Sequence, residues 1–179
     1  DLVRSRGLGD VYKRQEYGCF CPVMRLHGYR WPLQPQYGTT GGATCVSGAP
    51  NEVWSYTDQV CEILSDYLRL RERMLPYITE LMEEAHEKGT PVMRPLFYDF
   101  PEDKESWNVE TEYMFGPKVL VKPITDADAR ETDVYLPGGA SWTNAWTGET
   151  FEGGQKVHVA APIEQIPLFT RDGYKLPMK

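Results

Sequence analysis

The chain has 179 residues, 41% hydrophobic and 25% charged, with a formal net charge of −7, a composition that supports a sizeable core. The acidic balance argues against a phosphate-tracking nucleic-acid surface, which needs clustered Lys and Arg, and no run reaches the roughly 18 apolar residues of a membrane-spanning helix. The four cysteines (Cys19, Cys21, Cys45, Cys61) are too few for a disulfide framework, and Cys19-x-Cys21 lacks a second pair at zinc-ligand spacing, so neither a metal nor a cofactor is expected.

Residues 1–15 are rich in basic side chains and hold no periodicity, and they are set aside as a leader foreign to the fold. The stretch from Tyr17 to Arg30 is an apolar run that ends in Arg25, His27 and Gly28. It reads as a buried strand delivering a histidine to a loop rim, with Cys19 and Cys21 as buried thiols on one face. Trp31 to Asn51 carries no charged side chain. A connection that long is a functional rim or an irregular loop.

From Thr57 the period becomes helical, with Val60, Ile63, Leu64, Tyr67 and Leu68 on one side and Thr57 or Asp58 as cap. Arg69, Arg71 and Arg73 are assigned to the solvated face. Pro76 kinks this helix or starts a second one, which ends at Gly89. Its His86 is assigned a structural place in the last turn. Pro91 to Phe100 reads as another buried strand, so strand, helix pair and strand suggest a parallel βαβ unit. No glycine-rich phosphate fingerprint follows either strand.

Beyond Pro101, short runs at Lys118–Ile124, Thr132–Leu136, Ser141–Trp146, Lys156–Val159 and Ile166–Thr170 are separated by glycine turns, the pattern of an antiparallel β domain. His158 falls on a strand face there.

Seven segments, taken together and in order, resemble glycoside hydrolase family 31, the α-xylosidase and α-glucosidase group. They are Phe20-Cys-Pro-Val-Met-Arg-Leu-His-Gly28, Leu70-Arg-Glu-Arg-Met-Leu-Pro-Tyr-Ile78, Gly89-Thr-Pro-Val-Met-Arg-Pro-Leu96, Glu112-Tyr-Met-Phe-Gly116, Val134-Tyr-Leu-Pro137, Trp142-Thr-Asn-Ala-Trp-Thr-Gly148 and Ile166-Pro-Leu-Phe-Thr-Arg-Asp-Gly173. The resemblance implies an α/β plus all-β chain, with residues 16–105 as the last part of a (β/α)8 barrel and 106–179 as an antiparallel β-sandwich.

It also implies a retaining α-glycosidase acting on oligosaccharides, whose two catalytic aspartates belong to motifs upstream of the Tyr17 stretch. No catalytic residue is therefore assigned in this chain. His27 matches the family histidine that hydrogen-bonds sugar hydroxyls in the −1 subsite, and side chains at the C-terminal end of barrel strands face the active-site mouth. Arg25 shares its strand face by the period of two, as a second substrate-side or orienting residue. The barrel-end rule would also nominate Asp99, but the resemblance gives that position no catalytic role. Tyr29, Trp31 and Trp54 are candidates for stacking on sugar faces. The competing reading is a carbohydrate-binding or structural β-module without catalysis. Assembly as a homo-oligomer is left open.

Overall fold

A computed structural model describes residues 8–26, 52–126 and 128–178. Helix α1 (Leu8–Gly18) comes first, and a single 3-10 turn (Val53–Ser55) precedes α2 (Asp58–Arg73) and α3 (Leu75–Lys88). The Thr57 side chain accepts from Val60 N and starts α2 as expected. Pro76 stands in the first turn of α3, where its missing amide hydrogen costs nothing. That helix stops at Gly89, whose φ of 71° is the left-handed conformation a glycine adopts without a Cβ clash. None of the described helices is long and apolar enough to cross a membrane.

Among the described residues eight strands follow: β1 (Met93–Arg94), β2 (Tyr113–Phe115), β3 (Val119–Val121), β4 (Glu131–Leu136), β5 (Ser141–Asn144), β6 (Thr150–Glu152), β7 (Gln155–Ala160) and β8 (Leu168–Arg171). Six of them form one sheet in the order β1-β2-β3-β8-β5-β6, and β4 pairs with β7 in a second. Every pairing is antiparallel.

The centre of the large sheet is buried on both faces, which explains why β3 is apolar without alternation. Val119 and Val121 point into a core built with Phe20, Tyr67, Met74 and Leu81, on the side of the helices. Leu120 points the other way, into a core with Trp142, Val134, Leu136 and Val157 that the β4–β7 ribbon closes. Successive side chains of a strand face opposite ways, so Leu168 and Phe169 of β8 divide between the same two cores. The molecule is layered as helices, sheet and ribbon.

The structure corrects two sequence expectations. The Tyr17 stretch is not a strand: Tyr17 and Gly18 end α1, and Cys19, Phe20 and Cys21 donate back to Gln15, Tyr17 and Gly18 carbonyls in tight terminal turns. The reason lies in a side chain assigned to solvent. The Arg71 guanidinium donates to the carbonyls of Cys19 (2.8 Å), Cys21 (2.8 Å) and Pro22 (3.0 Å), satisfying the acceptors that a helix end leaves free. Cys19 is buried and Cys21 only half-buried, so the two thiols do not share one environment.

The second correction concerns Pro91–Phe100. Pro91 and Pro95, which have no amide hydrogens, bracket residues 92–94, and only Met93 and Arg94 are left as a strand, paired antiparallel to β2. From Leu96 to Asp99 it is the short helix α4. A parallel βαβ unit is absent from the described residues.

Helix α1 itself runs across the expected boundary between residues 15 and 16. Its Lys13 ammonium donates to the carbonyls of Pro162 (2.8 Å) and Gln165 (2.7 Å) and pairs with the fully buried Glu16 at 3.1 Å. Burial lowers the Lys13 pKa and pushes Glu16 up to about 7, each shift opposed by the other charge.

Glu112 behaves similarly where the sheet meets the ribbon. Its carboxylate accepts the backbone N–H of Tyr135 at 3.0 Å and lies 3.6 Å from the Lys122 ammonium, yet burial still pushes it up to about 7. A carboxyl that binds its proton more tightly folded than unfolded adds stability at pH below about 4.5, and loses it as pH rises to about 7. Glu112→Gln keeps an acceptor for Tyr135 and carries no charge. The variant is expected to match the parent near pH 4.5 and to gain ~1–3 kcal/mol on it by pH 8. Urea midpoints at the two pH values check this, and an equal difference at both would refute it.

Candidate functional site

The backbone that leads in sequence to the predicted rim is anchored by aromatic packing. Phe20 is completely buried, edge-on to both Tyr67 and Phe115 with centroids 6.5 and 6.4 Å away. Its carbonyl accepts the Tyr113 hydroxyl at 3.0 Å. With Arg71 on the neighbouring carbonyls, the backbone of residues 19–22 is held by α2 and β2 together. Met24 still touches this core, its sulfur 3.7 Å from the Cys19 thiol. At Arg25 and Leu26 the chain comes out into solvent.

Arg25 is therefore exposed and makes no ion pair with a described carboxylate. His27 lies outside the described residues, as do Tyr29 and Trp31. The chain returns at Glu52, where Val53 is buried against Val60 and Leu64 while the neighbouring Trp54 stands 74% exposed. Arg25 and Trp54 are thus the candidate residues that fall among the described residues, one on each side of His27 in sequence.

Asp99 fills a structural place. Its Oδ1 accepts from the buried Arg94 guanidinium at 3.0 Å, and Glu84 approaches the same guanidinium at 3.9 Å. Burial raises the Asp99 pKa, with Arg94 working against the rise. The carboxylate is bound to a cation, and the neighbouring carboxylate, Glu84, shares that cation. His158 is exposed on β7, its Nδ1 2.7 Å from Asp133 and Nε2 3.4 Å from Glu131 across the ribbon, and these hydrogen bonds raise its pKa. His86 is exposed in the last turn of α3.

Two of the open grooves beside the helices carry aromatic rings. One, of about 480 Å³, has Tyr67 and Trp146 in its wall, with Glu62, Asp66 and Glu164 beside them. The polar atoms of both rings are turned inward. The Tyr67 hydroxyl donates to Glu164 O and accepts from Ile166 N, and Trp146 Nε1 donates to Ile166 O at 2.7 Å. The other, of about 530 Å³, runs past Tyr17, Glu112 and Tyr113. Neither is lined by Arg25. Among the described residues no group of His, Cys, Asp and Glu is arranged to hold a metal ion.

Sequence reasoning missed Arg71 and Tyr113, which fix the backbone of residues 19–22. Arg71 lies on a helix among other arginines, and its targets lie about 50 residues earlier in the chain. No local pattern announces such a contact.

Residues 10–81 match the model of the glycosyl hydrolases family 31 TIM-barrel domain, and residues 89–176 match that of the glycosyl hydrolase family 31 C-terminal domain. The architecture is accordingly the end of a barrel domain followed by a mostly antiparallel C-terminal domain. A GH31 α-xylosidase from a soil metagenome, solved with xylose, superposes with a TM-score of 0.85 at 44% identity, covering 92% of this chain and 25% of that one. An α-xylosidase of Saccharolobus solfataricus is 35% identical over 97% of this chain and 22% of its own length. An α-glucosidase 2 of Bacillus thermoamyloliquefaciens is 39% identical over 92% of this chain and 19% of its own. The chain spans about a fifth to a quarter of these relatives.

Proposed function

The chain belongs to glycosyl hydrolase family 31, and from that premise we propose that it serves a retaining α-glycosidase that removes terminal α-xylosyl or α-glucosyl residues from oligosaccharides. The observation that carries this is the consecutive match to the family's barrel and C-terminal domains. The 44% identity to a xylose-bound α-xylosidase favours the xyloside. Residues 16–105 belong to the barrel side and 106–179 to the β side, although β1 reaches across that division to pair with β2.

In this reading the chain supplies a wall of the sugar site and no catalytic carboxylate. Retaining hydrolysis needs two carboxyl groups about 5–5.5 Å apart, one the nucleophile and one the acid/base. These come from barrel segments that the chain does not contain. His27 holds the sugar: a neutral imidazole donates from one ring nitrogen and accepts at the other, which suits adjacent hydroxyls. Arg25, free of described ion-pair partners, orients the rim or meets a carboxylate of the preceding barrel.

The test is hydrolysis of p-nitrophenyl α-xyloside and α-glucoside by a protein that joins this chain to the preceding barrel. Release from the xyloside is expected to be the faster, and release from neither would overturn the proposal. In the same protein His27→Ala is expected to lower kcat/KM by about 100-fold, equivalent to ~2.7 kcal/mol of transition-state stabilisation. An unchanged kcat/KM would remove His27 from the site.

A further inference from the structure

Trp107 is 59% exposed, yet its indole is held at one face and at its N–H. Its indole lies parallel to the half-buried Phe97 ring, with centroids 4.5 Å apart and 12° between planes. Its Nε1 donates to the Pro101 carbonyl at 3.0 Å. A ring fixed at one face and at its N–H keeps its other face for solvent, flat, apolar and in one orientation.

The turn that carries the ring also carries polar side chains in a fixed arrangement. Asn108 Nδ2 donates to Glu105 Oε2 at 3.3 Å, and Glu105 Oε1 lies 3.5 Å from the ammonium of Lys156 on β7. None of these groups is used by the site proposed above. Phe97 and Trp107 cap no core, since neither belongs to the buried clusters.

From this geometry we propose that the open face of Trp107 is a pyranose-stacking subsite for an oligosaccharide. A pyranose presents C–H groups on a face and hydroxyls around its edge. It matches an amphipathic ring on a turn that also carries the Asn108 amide and the Glu105 carboxylate. Because Phe97 and Pro101 have already fixed the indole, binding loses little side-chain freedom. An acidic chain with isolated basic residues offers no such match to a nucleic acid. The choice of sugar over another flat ligand rests on the family reading. The stacking is read by binding, with no hydrolysis needed, so it can fail while that reading stands.

The experiment is titration of the 179-residue chain with maltoheptaose, and with sorbitol as an acyclic polyol that has hydroxyls but no ring. Millimolar binding of the heptasaccharide is expected, with none of sorbitol. Trp107→Ala should weaken it by at least about tenfold, and Trp107→Phe by only about threefold. In the unaltered chain, the indole N–H resonance absent from the Trp107→Phe spectrum should shift on titration, a readout that does not require the Ala variant to fold. No binding, equal binding by Trp107→Ala, or an unmoved resonance would each overturn the proposal.

Discussion

Gly116→Ala is expected to destabilise the chain by about 3–6 kcal/mol, more than an ordinary turn glycine, because three costs fall on one atom. Gly116 turns β2 into β3 with a φ of 61°, which an alanine adopts only under strain. A Cβ there would run into the Tyr77 hydroxyl and stand 2.6 Å from the Leu81 Cδ2 methyl, both on α3. The Tyr77 hydroxyl donates to Phe115 O (2.9 Å) and accepts from Lys118 N (3.3 Å), so displacing it opens the turn as well. Urea unfolding measures the loss, and Tyr77→Phe separates the causes. With the hydroxyl gone, Gly116→Ala should cost clearly less than in the parent background. Equal costs in both backgrounds would show that the hydroxyl contributes nothing and that the backbone angle and the Leu81 contact are responsible.

Trp142→Ala is expected to cost about 3–5 kcal/mol from lost burial and the cavity left behind. Trp142 is completely buried, its ring centroid 5.7 Å from that of Phe100, and Nε1 donates to the Pro137 carbonyl at 2.9 Å. Trp142→Phe keeps most of the apolar contact but leaves that carbonyl without its donor, at a cost of about 1–3 kcal/mol. Denaturation midpoints of the two variants give the division. A phenylalanine variant as unstable as the alanine one would mean that the hydrogen bond outweighs the packing.

The parts of this fold legible in the sequence are those that local physics decides. The period and caps of α2 and α3, the stop at Gly89, and the short strands between glycine turns all follow from contacts within a few residues. The Tyr17 stretch failed because its apolar residues suit a strand and a buried helix end equally. Arg71 and Tyr113, about 50 and 90 residues further on, decide between them. Pro91 and Pro95 did carry the signal that the second strand is short, since neither can donate to a ladder. Of the candidate site, the role expected for His27 rests on the family resemblance alone, and His27 lies outside the described residues. A lone histidine at the end of an apolar run has no chemistry that spacing can reveal. Asp99 shows the converse: at a suggestive position, it is bound by Arg94, a partner five residues away.

The position of β8 bears on how such a chain is made. It is the last strand in sequence and lies between β3 and β5 at the middle of the sheet. During synthesis the first three strands and the β5–β6 hairpin emerge as separate pieces, each with an open edge and an apolar face. Neither core can close until Leu168 to Arg171 leaves the ribosome, because β8 lends Leu168 to one and Phe169 to the other. Folding of this half therefore waits for contacts that are long in sequence, a slow and cooperative final step. A ribosome that stalls just short of that strand would hold nearly all of the domain in a form prone to pair with its neighbours.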